Sequence, residues 1–263
     1  MKIVVVGTRG IPDIQGGVET HCEELYPRLA AMGHDVTVVR RSCYVTPQNK
    51  IKEYKGVHLK DIYAPRRKSI EAIVHTFLAI IYARWVGADV LHIHAIGPAL
   101  LTPLARLLGL RVVMTHHGPD YDRQKWNKTA KSVLRWGERM GANYANEVIV
   151  ISTVIDNILR EKYDRTDAHL IYNGVNKPVS AKDDSYIRSL GLTPRRYVLA
   201  VGRFVEEKGF DLLIKAFARI SDSNCKLVIA GDADHEDQYS STLKDIAQKQ
   251  GVILTGFIQT VSY

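Results

Sequence analysis

The sequence predicts an α/β chain of two doubly wound parallel sheets in tandem, the second of them incomplete. Short β-branched runs alternate with helical patterns along its whole length. The order of elements then resets near residue 180, where a polar segment at 177–196 containing Pro178 and Pro194 separates two series of strands. The segment 197–209, a strand that breaks at Gly202 and leads through Lys208-Gly209 into a helix, repeats the logic of the opening strand and its Gly7–Gly10 turn. The expected domains are 1–180 and 181–263.

In chain order, the first domain reads as a strand at 2–6, a helix at 19–32, a strand at 35–40, a helix at 69–86 and a strand at 90–94. A helix at 98–108, a strand at 111–115, a helix at 129–145, a strand at 147–151, a helix at 153–163 and a strand at 169–171 complete it. The second domain offers strands at 197–201, 226–230 and 252–254, with helices at 210–220 and 241–250 between them. Three strands fall short of the five or six that a doubly wound half uses, by about 90 residues at about 30 per βαβ unit. Truncation is expected, a small three-stranded appendage being the alternative. No repeat appears at solenoid periods.

The 263 residues are 46% hydrophobic and 24% charged, with no charge block or low-complexity tract, which excludes collagenous, coiled-coil and disordered classes. Three cysteines, Cys22, Cys43 and Cys225, widely spaced and odd in number, make neither a disulfide framework nor a zinc site, so a cytoplasmic location is expected. The apolar run at the N-terminus, within 1–6, is too short for a signal peptide, and the apolar stretch 70–88 carries Glu71, His75 and Arg84, which excludes a membrane span. Net charge is +8; residues 1–180 carry 25 Lys and Arg against 17 Asp and Glu, while 181–263 carry 11 of each. Such a surplus suits an anionic partner, or simply solubility. Arg66-Arg67-Lys68 ahead of the 69–86 helix suits contact with an anionic membrane surface, unless that helix is structural and buried.

Ligands of open parallel sheets bind beyond the carboxyl ends of the strands, so candidate site residues are those that follow them. After the first strand, Gly16 and Gly17 let the backbone approach a ligand at a helix start, where free N–H groups favour an anion; a tight structural turn uses the same residues. After the strand at 111–115 comes His116-His-Gly-Pro-Asp120, in which His117, Gly118 and Asp120 suit a polar site floor. His92 and His94 share a strand face, but no third ligand lies nearby in sequence, and no metal is expected. In the second domain Arg203 and Lys208 stand beside a helix N-terminus, a planar fork and a point charge that together can neutralise a diphosphate. Asp120-Tyr-Asp122 and Asp232-Ala-Asp234 each match a D-x-D triplet, a pattern common by chance; Asp232, after Gly231, reads as a turn lining a nucleotide site.

These motifs together resemble retaining nucleotide-sugar glycosyltransferases of the GT-B fold, and within them the rhamnosyltransferase-like enzymes of polysaccharide assembly. The resemblance rests on Gly7-Thr-Arg-Gly-Ile-Pro12 with Gly16-Gly-Val-Glu19, His117-Gly-Pro-Asp120 with Lys125-Trp126, Ile171-Tyr-Asn-Gly-Val175, Val201-Gly-Arg203 with Lys208-Gly209, Gly231-Asp232 and Gly256-Phe257. It implies two Rossmann-like domains, an acceptor-side one and a nucleotide-sugar-binding one. It further implies that Gly16 and Gly17 approach the donor diphosphate or the acceptor, that His117 contacts the transferred sugar, and that Arg203 and Lys208 hold the diphosphate. Gly231 and Asp232 would line the donor site, and Glu19, Asp120 and Asn173 the acceptor side or cleft. The donor is a substrate and no cofactor is implied; the acceptor would be lipid-linked or a polysaccharide. The family's glutamate pair would follow Gly256-Phe257, beyond Tyr263. An inactive sugar-nucleotide- or glycan-binding module is the competing class. A dinucleotide oxidoreductase lacks its fingerprint, and no nucleic-acid motif is present.

Overall fold

A computed structural model describes residues 1–67, 70–123, 126–177, 183–220, 224–233 and 236–258. Lys68, Lys125, Asp234, the linker residues 178–182 and the terminal 259–263, all touched by the sequence reading, lie outside the described residues. The chain divides into two compact units, Met1–Asn176 and Lys177–Tyr263.

Unit 1 runs β1 (Lys2–Val6), α1 (Gly17–Ala31), β2 (Asp35–Arg41), β3 (Glu53–Tyr54), β4 (Val57–Ile62), α2 (Glu71–Trp85) and β5 (Val90–His94). It continues through α3 (Thr102–Leu107), β6 (Val112–His116), α4 (Lys128–Tyr144), β7 (Glu147–Val150), α5 (Thr153–Tyr163) and β8 (His169–Leu170). The sheet order is β3-β4-β2-β1-β5-β6-β7-β8, and every neighbouring pair is parallel except β3 and β4. Packing partners alternate along β1 with period two: Ile3 and Val5 pack with Cys22 and Tyr26 of α1, while Val4 and Val6 pack on the opposite face with Ala79, Ile80 and Ala83 of α2. A strand covered on both faces must be apolar throughout, as β1 is. Two helix starts, those of α4 and α5, carry side-chain caps: Asn127 accepts from Ala130 N–H at 2.9 Å, and Ser152 from Ile155 N–H at 3.3 Å.

In this unit one expected element changes and one unexpected element appears. Pro98 and Pro103 split the expected helix at 98–108 into a 3-10 turn, Pro98–Leu101, and the short α3. The β3–β4 hairpin was not expected at all. Its strands carry Glu53, His58, Lys60 and Asp61, and its turn is Lys55-Gly56, both at positive φ (48° and 81°). Arg40, fully buried, holds it in place, its guanidinium 2.7 Å from Asp61 and donating to the carbonyls of Asn49 and Ile51 at 2.7 and 3.1 Å.

Unit 2 contains α6 (Ser185–Ser189), β9 (Tyr197–Val201), α7 (Phe210–Phe217), β10 (Lys226–Ala230), α8 (Gln238–Lys249) and β11 (Ile253–Gly256). Its parallel sheet is ordered β11-β10-β9 over a core of Phe204, Phe210, Ile214, Leu227, Ile229, Leu243 and Ala247. An aspartate capping box starts α8, Asp237 accepting from Ser240 N–H at 2.8 Å while the Ser240 hydroxyl accepts from Asp237 N–H at 2.9 Å. The edge strand β9 leaves Leu199 and Val201 53% and 70% exposed.

Candidate functional site

In unit 1 the strand order reverses between β1 and β5, which makes the carboxyl ends of these two strands the switch point where open parallel sheets leave a crevice. The β1–α1 loop rises there. Gly7 (φ +95°) has no room for a side chain, because a Cβ would fall 2.2 Å from the carbonyl oxygen of His94 at the end of β5. Glu19 shapes the loop from beneath. It is 6% exposed, and its Oε1 accepts from the Thr8 hydroxyl at 3.2 Å and from Arg9 N–H at 2.9 Å. Glu19, expected on the acceptor side or in the cleft, is thus a buried brace whose carboxylate meets two donors and holds the loop. Gly16 gives way to the same side chain, whereas Gly17, first residue of α1, has nothing within 4 Å of where a Cβ would stand. Open space at Gly17 and the unpaired N–H groups of a helix start suit a ligand at that point.

One turn into α1, His21 brings this loop to the end of β6. Its ring lies 5.3 Å from that of His117 and 5.8 Å from that of His94. His94 Nδ1 and His117 Nε2 are hydrogen-bonded at 2.8 Å. Burial, together with repulsion from neighbouring imidazoles, pushes His117 down to about 4, and burial alone lowers His21. At neutral pH the imidazoles at the switch point are thus uncharged, able to donate or accept hydrogen bonds. One nitrogen from each of His21, His94 and His117 lies within 4.8 Å of the others, so the fold groups His94 with His21 and His117, and not with the His92 that shares its strand face. The His94–His117 hydrogen bond uses a lone pair and a proton that a cation there would have to displace.

The loop after His117 is tied down by Glu138, whose fully buried carboxylate accepts from His116 Nε2 at 2.8 Å, Tyr163 at 2.7 Å and Tyr121 at 3.2 Å. Against its own desolvation, these donors hold Glu138 below the ordinary carboxylate range. Gly137 makes the approach possible, since a Cβ there would meet the Ile96 carbonyl at 2.0 Å. Asp120, three residues beyond His117, pairs with Arg123 at 3.0 Å. Asn173 is exposed after β8, two strands from β6 at the edge of the sheet, and among the described residues its side chain makes no hydrogen bond.

Unit 2 builds its site from backbone. Gly202 N–H donates to the Ala230 carbonyl at 2.9 Å, Phe204 N–H to the Asp232 carbonyl at 3.0 Å, and Gly231 N–H to the Gly256 carbonyl at 2.9 Å, which zips together the turns that follow the three strands. Gly231 (φ +126°) cannot carry a side chain, as a Cβ would lie 2.0 Å from the Gly202 carbonyl oxygen. The Lys208 side chain passes Gly202, and Gly209 in the left-handed region caps the start of α7. Arg203, Lys208 and the α7 N-terminus thus belong to one turn, with Glu206 and Glu207 exposed beside them. Asp232 is held by Lys244 at 3.0 Å and by the Ala233 N–H at 2.8 Å; against desolvation, these two keep it ionised below its ordinary range.

Sequence reasoning missed His21, Tyr26 and Glu138, whose partners lie 17 to 96 residues away. The only signal was the recurrence of polar residues on otherwise apolar element faces.

The family models agree with this division. Residues 15–177 match Glycosyltransferase Family 4 and residues 183–262 match Glycosyl transferases group 1. An uncharacterized glycosyltransferase of Methanocaldococcus jannaschii is 25% identical, over 98% of this chain and 70% of its own length. Alpha-maltose-1-phosphate synthase of Mycobacterium tuberculosis is 27% identical, over 89% of this chain and 62% of its own length. Sucrose-phosphate synthase from Thermosynechococcus elongatus shares the fold with a TM-score of 0.78 at 21% identity, over 98% of this chain and 71% of that one. Anabaena HepE, solved with UDP-glucose, gives 0.76 at 18% identity, over 98% and 70%. The likeness runs through both units, and the chain belongs to Glycosyltransferase Family 4, with the GT-B fold.

Proposed function

We propose that this protein transfers a sugar from a nucleotide-sugar donor to a lipid-linked or polysaccharide acceptor with retention of configuration, without a metal or other cofactor, as in rhamnosyltransferase-like polysaccharide assembly. The observation that carries the reading is the uncharged histidine floor at the switch point of unit 1. A His117 that titrates near 4 stays neutral at pH 7 and serves as a hydrogen-bonding partner for a sugar hydroxyl rather than as a cation. In unit 2, Arg203, Lys208 and the start of α7 supply positive charge and N–H donors to the diphosphate. That is where charge develops as the bond between the anomeric carbon and the phosphate oxygen breaks. The acceptor oxygen forms the new bond to the same carbon, and the departing phosphate takes its proton. That HepE was solved with UDP-glucose supports a nucleotide sugar as the donor class.

A panel of nucleotide sugars tests the reading, scored for donor consumption and for the anomeric configuration of the product by NMR, with and without a chelator. Transfer with retention, indifferent to the chelator, is the expected result. Inversion, chelator-sensitive transfer, or tight binding of nucleotide sugars without turnover in any acceptor mixture would contradict it, the last favouring a binding module.

One further observation supports a peripheral location at the cytoplasmic face of a membrane. Helix α2 buries His75, Thr76, Ala79, Ile80 and Ala83 but exposes Phe77, Ile81 and Trp85 at four-residue spacing, 44%, 45% and 81% accessible. Exposed Arg66 and Arg67 precede it. An apolar stripe near basic residues suits the surface of an anionic bilayer, which is where a lipid-linked acceptor would lie. No helix among the described residues is long and apolar enough to cross a membrane.

A further inference from the structure

Five groups of unit 1 are joined end to end beneath the crevice. Thr115 Oγ1 meets His92 Nε2 at 2.7 Å, and His92 Nδ1 meets the Tyr26 hydroxyl at 2.9 Å. The same hydroxyl meets His94 Nε2 at 2.5 Å, and His94 Nδ1 meets His117 Nε2 at 2.8 Å. Tyr26 and His94 are fully buried, Thr115 and His92 nearly so, and His117 is half-buried at the outer end. Among the described residues His117 Nδ1 makes no hydrogen bond. It is the free terminus of the chain.

Proton counting restricts this arrangement. Burial is the main cause that lowers all three histidines, His92 to about 3, His117 to about 4 and His94 well below its usual value, so each imidazole carries one proton on two nitrogens. The Tyr26 hydroxyl also has one proton, which it can give in only one direction. Every link must hold one proton, because two lone pairs facing each other in a buried site would be left unsatisfied. Only two orderings meet this condition. In one, all protons point toward His117: each histidine is protonated on Nδ1, and His117 offers an N–H at its free end. In the other, all point away: His117 Nε2–H donates to His94, His94 Nε2–H to Tyr26, Tyr26 to His92 Nδ1, and His92 Nε2–H to Thr115. The second ordering puts all three histidines in the Nε2–H form that the free side chain prefers.

We propose that Tyr26, His92 and His94 form a positioning relay that locks His117 in its Nε2–H tautomer and presents its bare Nδ1 as an acceptor for a hydroxyl of the bound sugar. The consequence for transfer rests on the function proposed above; the tautomer does not. The relay acts through His117, so none of its inner members touches substrate. It also accounts for the buried tyrosine and two buried histidines, polar groups that would otherwise weaken this part of the core.

Long-range proton–nitrogen NMR spectra of the whole chain, labelled with 15N in histidine, read the tautomer directly. Between pH 5 and 8 the wild-type His117 is expected to show a bare Nδ1 and a protonated Nε2. Tyr26→Phe keeps the ring and removes the central link. His117 should then average between tautomers, and kcat should fall about tenfold, the loss of one orienting hydrogen bond, with KM for the nucleotide sugar within about twofold. A wild-type His117 protonated on Nδ1 would overturn the proposal, and that observation needs no variant. So would an unchanged His117 tautomer in Tyr26→Phe. Stoichiometric Zn²⁺ binding at pH 7 that disappears in His21→Ala would also overturn it, because the metal would claim the lone pairs that the relay uses. Failure of transfer with every donor would contradict the proposed function while leaving the spectral prediction to be judged separately.

Discussion

Units 1 and 2 use the same device, a parallel sheet with glycine-bearing turns at its carboxyl ends, but they hold those turns by different means. In unit 1 the turns after β1, β5 and β6 are fixed by buried side chains: Glu19 under one loop, Glu138 under another, and the Tyr26–His92–His94 series between them. In unit 2 the turns after β9, β10 and β11 are fixed by backbone hydrogen bonds involving Gly202, Gly231 and Gly256, with Glu206, Glu207 and Lys208 exposed beside them. A network of buried polar side chains gives a neutral, shaped floor suited to hydroxyl groups. A glycine-zipped turn leaves N–H donors and cations for an anion. The difference in construction parallels the division of labour proposed between sugar and diphosphate.

The comparison can be broken most forcefully with acid. His75 and His117 titrate near 4 and His92 near 3 in the folded chain, against 6.5 for an exposed histidine, and all three lie in unit 1. Protons therefore bind the unfolded state first. The stabilisation they give is complete above about pH 6.5 and is lost as pH falls toward 4, at about 3 kcal/mol per group. Trp85, Trp126 and Trp136 are all in unit 1, so tryptophan fluorescence melts between pH 7.5 and 4.5 follow this unit alone. A midpoint that does not move across this range would contradict the buried network.

Removing the hub of that network comes next in size. Glu138→Ala leaves His116, Tyr121 and Tyr163 without their acceptor and should destabilise unit 1 by about 3–5 kcal/mol in urea denaturation followed by the same tryptophans. In unit 2 the expected losses concern binding. Arg203→Ala or Lys208→Ala should weaken nucleoside diphosphate binding by about 1.5–3 kcal/mol, roughly ten- to a hundredfold, in calorimetry unaffected by a chelator. The glycines sharpen the contrast further. Gly231→Ala forces a Cβ against the Gly202 carbonyl and should cost about 1–3 kcal/mol in unit 2. Gly17→Ala enters open space and should leave stability within about 0.5 kcal/mol while lowering turnover, if a ligand occupies that space. The smallest effect is expected at α2, where Trp85→Ser should reduce sedimentation with anionic liposomes by about threefold or more, with little binding to neutral vesicles in either form. Equal sedimentation with both kinds of vesicle would remove the membrane reading.

The same contrast explains what the sequence revealed. The parallel sheets and most helices were legible because β-branched and apolar residues dominate β1, β2 and β10, and because Gly202, Lys208 and Gly209 lie within eight residues of one another in the chain. His117 could be picked out because it directly follows a strand end. The β3–β4 hairpin was hidden because charged residues occupy its strands and its stability comes from Arg40, which reaches it from β2. That the Glu19 carboxylate turns back on Thr8 and Arg9 was hidden because nothing local in the sequence shows it. His21 and Tyr26 read as ordinary helix residues, since only the packing of α1 against β5 and β6 joins them to His94 and His117.

The central proposal assigns hydroxyl recognition to His117 in unit 1 and diphosphate binding to Arg203 in unit 2. Calorimetric titration of a panel of nucleoside diphosphates into the wild type, His117→Ala and Arg203→Ala, alongside turnover of the matching nucleotide sugar, tests it most directly. His117→Ala should lose turnover at least about tenfold while keeping diphosphate affinity within about threefold, and Arg203→Ala should lose that affinity about ten- to a hundredfold. Full turnover in His117→Ala, or diphosphate binding that depends on His117 and not on Arg203, would contradict the account.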